Sequence, residues 1–116
     1  MGVINIEQTK EKLIHSIIMH QKGIEQGNAK IANKYADEML NYIDIIQKHY
    51  DFRELKDLLD HEEFCVRVYI AKTLLPYYEL ISLKILREIG NKNIPHISFE
   101  ARIIVSEHTG ETLRFS

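Results

Sequence analysis

The chain has 116 residues, the size of one ordinary domain, and its 45 % hydrophobic and 28 % charged content is that of a globular rather than a disordered protein. Five glycines and two prolines are too few for a turn-dense β protein. A formal net charge of −2 argues against a surface built to coat DNA or RNA, which needs clustered Lys and Arg.

Apolar residues recur at helical period in six blocks. Asn5-Ile6-Glu7-Gln8 reads as a capping box opening a first helix, with Ile6, Leu13, Ile14, Ile17, Ile18 and Ile24 on one broad face. Gly27 can take the left-handed conformation that ends it, and Asn28 can cap the next helix. In that second helix Ala32, Tyr35, Ala36, Met39, Ile43, Ile46 and Tyr50 keep to one stripe. The break between the two is short, so residues 5–50 are expected to form a long antiparallel hairpin. Asp51-Phe52-Arg53-Glu54 reads as a second capping box, opening a short helix with Phe52, Leu55, Leu58 and Leu59 inward, and Asp60-His61-Glu62 as its turn. A fourth helix carries Val66, Ile70, Ala71 and Leu74. Pro76 disfavours helical geometry at Leu75, so that helix should stop there, with Pro76 in the first turn of a fifth that Gly90 ends. Ser98 is expected to cap a sixth helix closed by Gly110, and residues 110–116 to form a surface tail. No stretch alternates with period two for long enough to make a strand, so the chain reads all-α.

Two stretches overlay at an offset of 35 residues, aligning His61 with His96, Phe64 with Phe99, Val66 with Ala101, Arg67 with Arg102 and Ala71 with Ser106. A repeat built from two antiparallel helices is the signature of a HEAT- or armadillo-like α-solenoid. The expected architecture is a single domain, 1–116, of about six helices stacked as antiparallel hairpins. Residues 51–75 form one unit and 76–109 a second, with the 5–50 hairpin as the capping layer, because so few repeats cannot bury their faces alone.

Leu58-Leu59-Asp60-His61-Glu62, followed by Val66-Arg67, Ala71 and Leu74-Leu75-Pro76, resembles the core of a HEAT unit. Residues 51–109 with their preceding hairpin resemble a family of small bacterial HEAT-like-repeat proteins catalogued as a domain of unknown function. Some members of that family are thought to be toxin-immunity proteins. The resemblance implies a structural pairing of the turn acid Asp60 with the helix arginine Arg67. In the second unit Arg102 matches, but Pro95 stands where the acid would be.

The sequence points to no catalytic residue, cofactor site or metal site. Cys65, the only cysteine, excludes an intrachain disulfide and a cysteine-based zinc cluster, and fits a reducing compartment. His61 and Cys65 stand four apart, but a zinc site needs three or four ligands. No phosphate-cradling glycine loop or nucleophile motif is present. No apolar run is bilayer length, and Glu7, Lys10, Glu11 and Lys12 interrupt the core that a signal peptide starting at Met1 would need, so a cytoplasmic, non-membrane protein is expected.

The segment from Asp51 to Glu63 sets Asp51, Glu54, Asp57, Asp60, Glu62 and Glu63 against only Arg53 and Lys56. Such a strip can meet a basic partner by electrostatic steering, or serve simply as a solvated helix face. Lys72, Lys84, Arg87, Lys92 and Arg102 are too scattered for a nucleic-acid groove. Tyr42, Tyr69, Tyr77 and Tyr78 offer either a partner patch or aromatic packing between helical layers. The expected function is non-catalytic protein binding, as an immunity-type or adaptor module, with Asp57, Glu62, Glu63, Tyr69 and Lys72 as partner contacts. A homo-oligomer stays open. The alternative is a small helical enzyme or a nucleic-acid-binding module.

Overall fold

The computed structural model describes residues 5–111, and within them the chain is entirely helical. Five α-helices form: α1 (Ile6–Glu25), α2 (Ala29–His49), α3 (Phe64–Leu74), α4 (Glu79–Gly90) and α5 (Ile97–Thr109). A 3₁₀ helix, Phe52–Asp60, lies between α2 and α3. The chain divides into two compact units, residues 1–55 and 56–116.

In the first unit α1 and α2 pack as an antiparallel hairpin. The Asn5 side chain accepts from the Gln8 N–H at 2.8 Å while Gln8 reaches back to the Asn5 N–H, so both halves of the capping box form. Gly27 turns the chain at φ 64°, and Asn28 caps α2 by accepting from the Ile31 N–H at 3.1 Å. The seam between the helices is set by small residues seven apart. Gly23 faces Ala32 so closely that a methyl group on Gly23 would sit 2.7 Å from the Ala32 nitrogen. In an antiparallel pair the same register sets Ser16 opposite Met39 and Thr9 opposite Ile46. All four of these lie in the interior, with Thr9 and Ile46 at 0 % exposure. The Thr9 and Ser16 hydroxyls are satisfied within α1 by the Asn5 and Lys12 carbonyls.

The face expected for α1 is therefore only partly the buried one. Leu13 and Ile17 are buried, but Ile24 is 38 % exposed, and Thr9, Ser16 and Gly23 occupy positions that hydropathy alone would send outward. Close approach of two helix backbones selects for small side chains rather than greasy ones, which is why these three face inward.

In the second unit α3, α4 and α5 pack on one another. Val66, Ile70 and Leu74 recur every four residues along α3, and all are at 0 % exposure. Each contributes roughly 1.5–3 kcal/mol of burial free energy. Ala71 and Ala101, also at 0 %, bring the packed helices close. The aligned positions Val66 and Ala101 are thus both core residues.

Several local expectations are corrected. The expected short helix after α2 forms, as a 3₁₀ helix, but Asp51 makes no capping box with Glu54: its carboxylate accepts from the Arg53 N–H at 2.9 Å. Pro76 lies in the turn before α4 rather than within its first turn. Gly90 is the buried last residue of α4, and the stop comes at Asn91. Ser98 does not cap α5. The residue at that cap is His96, at φ 65° and ψ −43°, in a γ-turn closed by the Ile97 N–H on the Pro95 carbonyl at 2.7 Å. The buried Ser98 hydroxyl instead donates to the Ile89 carbonyl and accepts from the Ile94 N–H, both at 2.7 Å. The end of α4 thus takes the hydroxyl that the start of α5 was expected to use. Of the expected surface tail, residues 112–116 lie outside the described residues. Gly110 closes α5 at φ 77°, and the Ser106 hydroxyl donates to the Glu111 carbonyl.

Candidate functional site

The acids of the segment from 51 to 63 repeat every three residues, which is the period of a 3₁₀ helix, where side chains at i and i+3 eclipse. Phe52, Leu55 and Leu58 line one side, and Leu55 and Leu58 are buried. Glu54, Asp57 and Asp60 line another and are exposed. Asp51, at the head of that row, is held by Arg53, whose Nη2 lies 2.7 Å from its carboxylate. The side-chain and backbone hydrogen bonds from Arg53 lower the Asp51 pKa to about 2. Glu62 and Glu63 follow in the turn before α3, both exposed. Glu63 is the N-cap of α3 without a side-chain cap bond, so its carboxylate stands in solvent beside the positive end of the helix. Among the described residues no ion pair neutralises Asp60, Glu62 or Glu63.

Tyr69 and Lys72 share a side of α3 with Cys65 and Thr73, the side that its buried residues leave open. Tyr69 is half-buried, and burial pushes its phenol pKa up; Lys72 is exposed in the last turn. Asp57 belongs to a different element from these two, in register with Asp60. The five residues expected to meet a partner thus fall into an acidic row and turn (Asp57, Glu62, Glu63) and a strip on α3 (Tyr69, Lys72).

Arg67 does tie helix to turn, but not through Asp60. Its Nε donates to the His61 carbonyl at 2.5 Å, and no Asp60–Arg67 ion pair forms among the described residues. A backbone carbonyl at the end of the 3₁₀ helix has no helical partner and so draws the guanidinium, whereas exposed Asp60 stays hydrated. Arg102 does the same at the end of α4, with Nε on the Gly90 carbonyl at 2.8 Å and Nη2 on Asn93 Oδ1 at 3.0 Å. The two aligned arginines therefore both close off the carbonyl end of the preceding helix.

His61 serves the turn before α3. Its Nδ1 accepts from the Glu63 N–H at 3.0 Å, doing for the turn what a capping side chain does elsewhere. Among the described residues no three His, Cys, Asp or Glu side chains assemble as a metal-ligand group. Phe64, a repeat position in the sequence to which no role was given, carries the Arg67 guanidinium at 5.0 Å and Lys92 Nζ at 5.7 Å from its ring centre. The repeated Phe-x-x-Arg at Phe64–Arg67 and Phe99–Arg102 was its signal. Among the basic residues, Arg87 holds Glu111 at 3.0 Å, while Lys92 and Arg102 make the contacts just described. Lys56 Nζ lies 4.7 Å from the centre of the Tyr78 ring, and Tyr42 belongs to the first unit rather than to the second with Tyr69, Tyr77 and Tyr78.

No described helix is long and apolar enough to cross a membrane. No protein-family model matches the chain, and comparison with curated proteins and with solved structures finds none similar to it.

Proposed function

We propose that this chain is a non-catalytic protein-binding module of immunity or adaptor type, resembling a short HEAT-like stack in its second unit, that receives a basic protein partner on its acidic segment. The observation that carries the reading is the run of exposed carboxylates: Asp57 and Asp60 in 3₁₀ register, then Glu62 and Glu63 in the turn before α3. Asp60, Glu62 and Glu63 make no ion pair among the described residues, and with Asp57 they leave this stretch an excess of negative charge over the Arg67 guanidinium that sits on the His61 carbonyl. Such a field speeds encounter with a basic surface and selects against acidic ones, while the fit of neighbouring side chains sets how long the complex lasts. Tyr69 supplies a stiff amphipathic contact and Lys72 a counter-charge on the adjoining open side of α3. The stack-like arrangement is supported by two equivalences. Val66 and Ala101 are both fully buried, and Arg67 and Arg102 both bind the carbonyl end of the helix before them.

The test is capture of a partner from the native host, with its identity fixed by mass spectrometry. Reversal of Asp57, Glu62 and Glu63 to lysine should abolish capture of one basic protein, whereas Lys84→Glu should leave it intact. If the triple reversal leaves affinity unchanged, the acidic segment is a solvated face and nothing more. An immunity role is favoured if the captured protein is a toxin whose action on the host is relieved by co-expression of this chain.

A further inference from the structure

Given the partner-binding reading of the acidic segment, on which this rests, we infer that His61 is its pH sensor. Uptake of a proton by the imidazole loosens the turn before α3 and weakens the hold on a basic partner. His61 stands inside the acidic run, between Asp60 and Glu62. The Glu63 N–H donates to His61 Nδ1 at 3.0 Å. Nδ1 therefore offers a lone pair, and the neutral ring keeps its one hydrogen on Nε2.

Two other histidines among the described residues make hydrogen bonds of the opposite sense. His20 Nδ1 lies 2.9 Å from the Ala32 carbonyl, and His108 Nε2 lies 2.8 Å from the Glu79 carboxylate. Both nitrogens face acceptors, so each donates and still donates when the ring is protonated. At His61 a proton removes the acceptor and sets N–H against N–H. The His61 backbone is held on both sides, its N–H on the Leu58 carbonyl at 3.1 Å and its carbonyl under Arg67 Nε at 2.5 Å. The protonated ring can then escape only by swinging out of the turn, which frees the backbone between Glu62 and Glu63.

Charge acts in the same direction. Asp57, Asp60, Glu62 and Glu63 surround His61 along the chain. The cations gathered at this end of α3 are Arg67, on the His61 carbonyl, and Lys92 of the loop after α4, which shares the Phe64 ring with Arg67. Lys56 is turned onto the Tyr78 ring. Histidine is the side chain whose charge ordinarily changes between pH 5 and 8, a range over which carboxylates stay ionised and lysines stay protonated. A proton on His61 thus sets one more positive charge among the acids and offsets part of the field that draws a basic surface. A basic partner favours the uncharged ring, so binding expels a proton and, by linkage, acidification weakens binding.

Titration of the full chain at low salt, from about pH 8 to about pH 5.5, tests this with two readouts. In proton–nitrogen NMR spectra the Glu63 amide should shift in step with protonation of the His61 ring and exchange faster once the ring is charged. Binding of a decalysine peptide, whose own charge is constant over this range, should weaken about fivefold in the wild type. His61→Asn keeps a side-chain oxygen that accepts from the N–H two residues on at every pH, and should lose most of that dependence. A Glu63 amide indifferent to His61 protonation, or a His61→Asn variant as pH-dependent as wild type, overturns the sensor and leaves the acidic segment as a binding surface. Decalysine that binds at no pH, or that binds equally well after lysine reversal of Asp57, Glu62 and Glu63, overturns the partner-binding reading and the sensor with it.

Discussion

Gly23→Ala tests the packing of the first hairpin with one methyl group. The added Cβ would lie 2.7 Å from the Ala32 nitrogen, 3.0 Å from its Cα and 3.2 Å from its Cβ. Comfortable carbon contacts are about 3.5–4.0 Å, so α1 and α2 must separate by several tenths of an ångström at this level. Two effects oppose each other. Alanine is better than glycine inside a helix by about 1 kcal/mol. Overpacking a tight contact costs about 1–3 kcal/mol, and here the obstacle is a backbone that cannot rotate away, which puts the cost in the upper half of that range. The net expectation is a loss of about 1–2 kcal/mol. Gly90→Ala is the milder comparison: its Cβ would press on Arg102 Cγ at 3.2 Å, in a side chain held by the Gly90 carbonyl and Asn93, but its nearest backbone atom is 3.8 Å away. That variant should lose less stability than Gly23→Ala, because a side chain rather than a backbone has to give. Urea unfolding followed by far-UV circular dichroism reads both midpoints. A Gly23→Ala protein as stable as wild type would refute the close approach of α1 and α2.

Three further outcomes rest on single contacts. Ser98→Ala strands the Ile94 N–H, while the Ile89 carbonyl keeps the Lys92 N–H, and should cost about 1–3 kcal/mol, whereas Ser82→Ala, which removes a buried hydroxyl bonded to none of the described residues, should be neutral or stabilising in the same urea assay. Asp51 has its pKa lowered from 3.8 to about 2, so what its charge adds to stability is complete above pH 3.8 and is lost as pH falls toward 2. A carboxylate titration followed by NMR should show Arg53→Ala returning Asp51 toward its ordinary value. Tyr69 has its pKa raised above 10.0 by burial, so the folded state holds a proton that the unfolded chain releases, and stability should fall as pH rises through 10.0. Tyr69→Phe should reduce that alkaline loss, and an unchanged loss would show that Tyr69 is not its source.

What could be read from the sequence was mainly what is local. Asn5, Gly27, Asn28 and Gly110 do in the structure what their residue types favour, because a cap or a left-handed turn depends on a few neighbouring atoms. The stripe of α2 and the core positions Val66, Ile70, Ala71 and Leu74 were readable from periodicity. The 3₁₀ helix was not inferred, although its signal was present: acids and apolar residues both recur every three positions from Asp51 to Asp60, a period an α-helix does not share. The roles of Ser98, His61 and Arg67 depend on partners supplied by folding, the carbonyls of Ile89 and His61 and the N–H of Glu63, and sequence spacing does not name such partners. The inward turn of Thr9, Ser16 and Gly23 was missed for a related reason. Hydropathy ranks them as surface residues, whereas helix contact ranks them by size. In the acidic segment both the residue types and the spacing of three that lets Asp51, Glu54 and Asp57 share a side were legible, and the 3₁₀ helix explains why that spacing makes a row.

The most direct measurement is the association rate of the captured basic partner with immobilised chain as ionic strength is raised. Steering by Asp57, Glu62 and Glu63 predicts a wild-type rate that falls steeply with salt, and a triple lysine variant that associates at least tenfold more slowly with little salt response. Tyr69→Ala and Lys72→Ala should chiefly hasten dissociation. An association rate indifferent both to salt and to the three reversals would contradict the account.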